Sequence, residues 1–422
     1  MVLCGWAAAA PEGEGDSRLG NLVRWYLHET SPEQRDRLLT SMRRITGGDI
    51  NELAAAIRSC AHGSFEKVPA FGKDGGTPRF EEDATGIVPM AGSAGRYARL
   101  EVPKDYDPAR AYPLAIQLGE TRFDFDGLPE KTVLLRVDPS RHPQALTSSW
   151  ATEALVLSLL VRTSELVHID PARVFLMGER QDARDHAELA FYIGLHNPDR
   201  FAGILAARGV WRQGFDLASN SAHLDVLAIE SRRGDPVLRD LMKELKRVFP
   251  KHVLLKAPRN DRNDATLVPH IHQWWKEGMR EPPQHHLTLF NDRPREMRAF
   301  WLAMRPKGGG TVRKPLKLGP RTEPGPRDRS ERRLPQPAWI QVAIREPSEN
   351  GVEVRTSGVT GFDLYVDPEM FDLNLPVRIS INGGPPVSRM IDPSFATMLD
   401  DYMERRDTKL LYVCKLTFTV RG

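Results

Sequence analysis

The apolar positions along the chain fall into two regimes. Between residues 97 and 255, short apolar runs alternate with longer stretches of helical spacing. After Pro282, short runs follow one another with one helix among them. In the first regime, residues 97–102, 113–118, 132–137, 174–177, 201–206, 224–229 and 252–255 predict strands, and 150–167 and 237–249 predict helices. The stretch from Ile169 to Trp211 is the most informative. Its apolar run 174–177 is broken by Gly178, and from Asp182 onward Ala183, Ala187, Ala190, Phe191 and Gly194 recur at helical spacing until Asn197-Pro198. Strand, glycine turn, helix and strand make a βαβ unit, which implies a parallel sheet covered by helices.

The flanks read differently. Residues near 20 to 60 predict two helices, the first opened by Ser31-Pro32-Glu33-Gln34, a capping-box pattern with proline at the first helical position. They read as a packing appendage, followed by a loop at 62–95. After Pro282, strands are expected at 286–290, 297–304, 338–344, 352–355, 362–366, 377–381 and 410–420, with a helix at 393–405 and a turn at Asn382-Gly383-Gly384. This is the pattern of a mostly antiparallel, sandwich-type β domain. The expected division is a helical N-terminal extension and loop over 1–95, an α/β domain over 96–283, and a β domain over 284–422 with a Pro/Gly-rich linker at 305–336.

Composition narrows the function classes. Lys plus Arg number 59 against 56 Asp plus Glu, a balance that argues against a nucleic-acid role. The excess is local: residues 305–333 carry ten basic side chains against three acidic ones, so the rest of the chain is slightly acidic. An exposed basic linker of this kind is usually just solvated. Cys4, Cys60 and Cys414 suggest neither a zinc site nor a disulfide framework, and nothing calls for a cofactor. His270 and His272 stand two apart on an expected helix, hence on different faces, and with His285 and His286 make a poor metal set. The first fifteen residues have a short apolar stretch but no basic start. They read either as the remnant of a signal peptide beginning upstream or, more simply, as a disordered end. No run approaches the ~18 apolar residues of a membrane span.

The stretch around Gly178 resembles the nucleophile-elbow region of the α/β-hydrolases, in particular the esterase, feruloyl-esterase and polyhydroxyalkanoate-depolymerase-like group. There the strand ends in G-x-S-x-G; here the five positions read Gly178-Glu179-Arg180-Gln181-Asp182. The resemblance implies an α/β-hydrolase fold, a mostly parallel sheet with helices on both faces. It extends to the opening segment Pro103-Lys104-Asp105-Tyr106-Asp107-Pro108, and to Gly234-Asp235-Pro236, where Asp235 takes the place of the triad acid. The C-terminal region is similar, more weakly, to the β appendage of some bacterial, notably planctomycete-type, esterase-like proteins. An extracytoplasmic location is what such a family implies.

At the chemical positions the sequence departs from the family. Arg180 replaces the serine. The His-Gly of the oxyanion loop becomes Leu118-Gly119, followed by Glu120, whose carboxylate would oppose an oxyanion unless it points away. The loop 258–264, where the base is expected, contains no histidine. Arginine is a permanent cation and cannot be a nucleophile. The sequence therefore predicts a hydrolase-like protein that is catalytically inactive, with no confident catalytic residue. The alternative is an active serine esterase or peptidase-like hydrolase with a relocated nucleophile among Ser148, Ser149, Ser219, Ser221 and Ser231, each of which has an ordinary loop or capping role as its plainer reading. Two fates remain open for the old pocket. Arg180 is neutralised by Asp182 and Asp185, the favoured reading, or it binds a small anionic or saccharide ligand together with Glu120, Asp235 and Trp211.

Overall fold

The computed structural model describes residues 18–60, 98–103, 106–119, 131–139, 149–181, 184–209, 215–231, 233–256, 266–307, 337–345 and 349–420. Glu120, Asp182, Trp211, Ser148, the loop 257–265 and most of the basic linker lie outside them, and so do the chain's first seventeen residues and the loop 62–95.

Three helices come first: α1 (Arg18–His28), α2 (Pro32–Thr46) and α3 (Ile50–Cys60). The sequence predicts only the last two. Gly20 and Asn21 in the first turn of α1 are poor helix formers. It is held instead by burying Leu19, Leu22, Val23 and Tyr26. α2 starts as its capping signal requires, with Gln34 N–H donating to Ser31 Oγ at 3.5 Å.

The parallel sheet follows, built from β1 (Ala98–Glu101), β2 (Tyr112–Leu118), β3 (Val133–Val137), β4 (Ile169–Gln181), the short β5 (Arg184–Asp185), β6 (Gly203–Ala207), β7 (Asp225–Glu230) and β8 (Val253–Lys256). Strand order is β1-β3-β2-β4-β6-β7-β8, with β5 paired to β4 alone. β1 is antiparallel to β3 and the rest of the path is parallel. Strands buried on both faces are near-continuously apolar rather than alternating, and β2 and β6 are buried at every position. Helices α4 (Ser149–Leu166), α5 (His186–His196), α6 (Pro236–Val248) and α7 (Val268–Glu277) connect the strands, with a 3-10 helix at Phe215–His223. On one face of the sheet α4, α5 and α6 share a core with Leu176, Ile204 and Val226. On the other, Trp274 and Trp275 of α7 pack on Phe175.

The C-terminal region holds two further sheets. One has the order β10 (Met297–Ala299), β11 (Leu302–Pro306), β14 (Val359–Val366), β17 (Cys414–Thr419). The other runs β16 (Val387–Arg389), β15 (Val377–Ile381), β13 (Gly351–Ser357), β12 (Ala338–Arg345), β9 (His286–Asn291). The single strand expected at 297–304 is a hairpin, because Phe300 takes a left-handed φ of 51° and turns β10 back onto β11. Pairing is antiparallel except between β13 and β15. Both sheets, helix α8 (Phe395–Arg405) and α1–α3 contribute to one apolar core. The N-terminal helices therefore pack with the C-terminal strands, and Tyr26 of α1 donates to Asp400 of α8 at 2.9 Å.

Buried ion pairs fasten the C-terminal half to the parallel sheet's helices. Glu153 of α4 takes Arg293 Nη1 at 2.5 Å, Arg295 Nη2 at 2.8 Å and Asn197 Nδ2 at 2.8 Å. Burial alone would raise the Glu153 carboxyl; these cations more than offset it and hold it below the usual glutamate value. Arg406 reaches Glu165 at 2.6 Å.

Candidate functional site

In open α/β sheets, sites form outside the carboxyl ends of the strands. Here β4 does not stop at Gly178. It runs on to Gln181 and folds back, with Arg180 opposite Asp185 and Gln181 opposite Arg184. Helix α5 then begins at His186, four residues later than Asp182, where the sequence pattern places it. Asp185 is its N-cap: Oδ1 accepts from Glu188 N–H at 2.9 Å. The other oxygen, Oδ2, stands 4.0 Å from Arg180 Nε. One carboxylate thus caps the helix and sits beside the arginine. Arg180 itself is 43% exposed, so this pair is a weak one. Asp185 followed three residues on by Glu188 is a capping pattern visible in the sequence, and it marks the true start of the helix.

The first residue of α5 fills the space above the strand ends. A Cβ on Gly119 would lie 2.2 Å from both Cε1 and Nδ1 of His186, and a Cβ on Gly178 would lie 2.1 Å from the His186 carbonyl oxygen. Only glycine admits this approach, and Gly119 also has a φ of +68°. The His186 side chain is buried. The Gly119 amide donates to the Val137 carbonyl at 2.7 Å, within the sheet. Its own carbonyl accepts from Gln117 Nε2 at 2.8 Å, and Gln117 Oε1 in turn accepts from Arg136 at 3.0 Å.

Charged residues continue along this edge. Glu179, next to Gly178 on β4, is buried and pairs with Arg208 Nη1 at 2.9 Å. Arg208 follows β6 in a left-handed conformation, φ 61°, unusual for a side chain of this size. Glu230, at the end of β7, accepts from Asp235 N–H at 2.6 Å and pairs with Arg239 at 2.7 Å. Asp235 caps α6, taking Val237 N–H at 3.0 Å and Leu238 N–H at 3.3 Å.

No family model and no curated protein matches the chain. Among solved structures, 43% of it aligns with a thermostable esterase at 17% identity and TM-score 0.34, covering 59% of that protein. The same share aligns with Est1E from Butyrivibrio proteoclasticus, at 11% identity and TM-score 0.33 over 93% of its length. Alignment with a Porphyromonas gingivalis dipeptidyl peptidase 4 has 14% identity and TM-score 0.33, covering 33% of that chain. The chain therefore spans only part of two of these three proteins. The sheet itself has one antiparallel edge strand, then six parallel strands, with β4 at the centre leading into a wholly buried helix. By strand order and direction alone the fold is of the α/β-hydrolase type, a mostly parallel sheet with helices on both faces.

Gly119, Gly178, Arg180 and Asp235 lie toward the carboxyl edge of the sheet, whereas Glu120, Asp182 and Trp211 are outside the described residues. Sequence reasoning missed His186, Glu179 and Arg208. The first is brought to Gly119 only by the fold. Among the serines, Ser221 meets a histidine: its Oγ lies 3.0 Å from His252 Nε2. The pair stands at the opposite edge, because His252 precedes β8 and its Nδ1 accepts from Val226 N–H at 3.2 Å. That bond fixes the tautomer. Nε2 then carries the proton and donates to Ser221, whose hydroxyl donates to the Ala218 carbonyl at 2.6 Å. A general base must present a lone pair to its serine, and this histidine presents a proton. Burial pushes His252 down to about 4, with Lys246 adding to the effect. No helix among the described residues is long and apolar enough to cross a membrane.

Proposed function

We propose that this protein is a catalytically silent α/β-hydrolase-fold scaffold, in which the carboxyl edge of the sheet is closed by the chain's own side chains. The observation that carries this reading is the packing of His186 against Gly119, over strand ends where a hydrolase holds its reacting carbonyl. Three further features support it. Arg180 stands in the serine's place and lies on a hairpin rather than at a tight elbow. The Gly119 amide is engaged by Val137 and cannot also face an oxyanion in this conformation. Asp235 is taken up in capping α6, and its neighbour Glu230 in pairing with Arg239. Hydrolysis needs a nucleophile, a base that accepts its proton and donors aimed at the oxyanion. The positions that the family resemblance assigns to the nucleophile, one oxyanion donor and the acid are held by Arg180, the engaged Gly119 amide and the capping Asp235.

The test is turnover of short-chain p-nitrophenyl esters by the purified chain. The scaffold reading expects the rate of buffer alone, unchanged in Ser231→Ala and Ser219→Ala. A saturable rate abolished by one of those changes would overturn it.

The exposure of Arg180, with its carboxylate 4.0 Å away, favours one second reading: the guanidinium engages a small anionic or saccharide ligand from solvent. A thermal-shift panel of carboxylates and sugars tests this. A shift present in the native protein and lost in Arg180→Ala would support ligand binding, and uniform silence would remove it.

A further inference from the structure

A second set of buried charges lies where the hydrolase-like sheet meets the C-terminal half, away from the Arg180 edge. Asp199 and Arg200 follow α5, Arg280 follows α7, Arg405 ends α8, and Asp407 stands two residues beyond. Their relative exposures are 1%, 9%, 3%, 6% and 3%. Three guanidinium groups thus share one buried region with two carboxylates.

The pairing is incomplete. Arg280 Nη1 lies 2.6 Å from Asp407 Oδ2 and donates to the Asp199 carbonyl at 2.5 Å. Arg405 Nη2 pairs with Asp199 Oδ2, which also accepts from Phe300 N–H at 2.9 Å. Arg200 Nη2 donates to the Arg405 carbonyl at 3.0 Å and has no ion-pair partner among the described residues. Nε and Nη2 of Arg280, and Nε of Arg405, are buried without a hydrogen-bond partner among them. The adjacent Arg298–Asp401 pair is balanced in itself. Among the described residues of this cluster, one positive charge and three buried N–H-bearing nitrogens are left over.

Arginine cannot relieve this by losing its proton within the ordinary pH range, and an unmatched buried charge is costly. Burial and the neighbouring Arg405 push Arg200 down to about 10, in keeping with a local excess of positive charge. A water molecule would satisfy hydrogen bonds but leave the charge. A doubly charged phosphate or sulfate would overshoot it. We propose that this junction binds one small monovalent anion, of the halide or carboxylate class, held chiefly by Arg200 and Arg280. Bound there, the anion ties the sheet domain to α8 and is linked to the stability of the whole chain.

The experiment is thermal unfolding of the full chain at constant ionic strength, with sodium gluconate replaced stepwise by chloride, bromide or formate. Gluconate is the bulky reference. The proposal expects Tm to rise by roughly 1–2 °C per tenfold increase in the small anion above its dissociation constant. Halide and formate arms separate the two sources. Arg200→Gln should abolish the rise, while the exposed Arg345→Gln should keep it. A rise that persists in Arg200→Gln places the anion elsewhere and overturns the proposal. Should Arg200→Gln fail to fold, anomalous diffraction from native crystals in sodium bromide decides. A bromide peak beside Arg200 and Arg280 supports the site, and ordered water alone there overturns it.

Discussion

The imidazole of His186 rests on the backbone of Gly119, so closely that a methyl group at Gly119 would stand 2.2 Å from two ring atoms. Gly119 follows β2, whereas His186 opens α5 beyond the hairpin that ends the neighbouring strand β4. On the proposed scaffold reading, their contact occupies the region that a hydrolase keeps open for substrate.

Gly119→Ala tests that contact through stability. The new Cβ meets the ring and must also take a φ near +68°, two independent penalties. Together they should destabilise the chain by roughly 2–4 kcal/mol in urea unfolding. In a His186→Ala background the steric part should vanish, leaving about 1 kcal/mol for the backbone conformation. Equal losses in both backgrounds would mean that the ring does not sit there.

Asp235→Ala separates a cap from a triad acid. A capping role implies a loss of about 0.5–2 kcal/mol, recovered in large part by Asp235→Ser or Asp235→Asn. Near-neutral stability combined with a measurable change in ester turnover would contradict the assignment.

Glu153→Ala removes the shared partner of Arg293 and Arg295 and leaves a buried guanidinium unmatched. Breaking a buried pair from one side costs about 3–5 kcal/mol. Denaturant unfolding should show that loss, with a change in cooperativity if the C-terminal half comes free first. Arg295 is half-exposed, so Arg295→Ala should cost far less.

His252 predicts a pH dependence. Its folded value, near 4, lies below the ordinary histidine value near 6.5. The unfolded chain therefore binds the proton first, and the contribution is fully present above about pH 6.5 and is lost as pH falls toward 4. Protonation would set Nδ1–H against Val226 N–H, donor facing donor. The whole effect is of order 3 kcal/mol. Asp225, raised to about 6 chiefly by burial, acts in the opposite sense over part of that window. The comparison must therefore be native against His252→Asn at each pH, and the difference should shrink as pH falls from 6.5 to 4. A constant difference would mean that burial does not hold His252 below its ordinary value.

Much of the sheet domain was legible because β2, β4, β6 and β7 are buried on both faces, so their apolar runs stand out without alternation. The elbow was legible only in part. Gly178 does not break the strand, which runs on to Gln181, and the hairpin pairing Arg180 with Asp185 is held by backbone hydrogen bonds that residue types hardly report. The Asp185–Glu188 capping pattern was the available signal. Helix α1 was hidden by Gly20 and Asn21, since its stability comes from packing onto α2, α3 and α8. His186 against Gly119, and Arg200 beside Arg280, join residues far apart in sequence. No local pattern could have announced either.

The central proposal, that the protein is catalytically silent, is tested most directly by intact-mass measurement after exposure to a fluorophosphonate probe. The account predicts an unmodified mass at probe concentrations that label a serine esterase run in parallel. A stoichiometric adduct on one serine, absent from the heat-denatured chain and from the matching Ser→Ala variant, would contradict it.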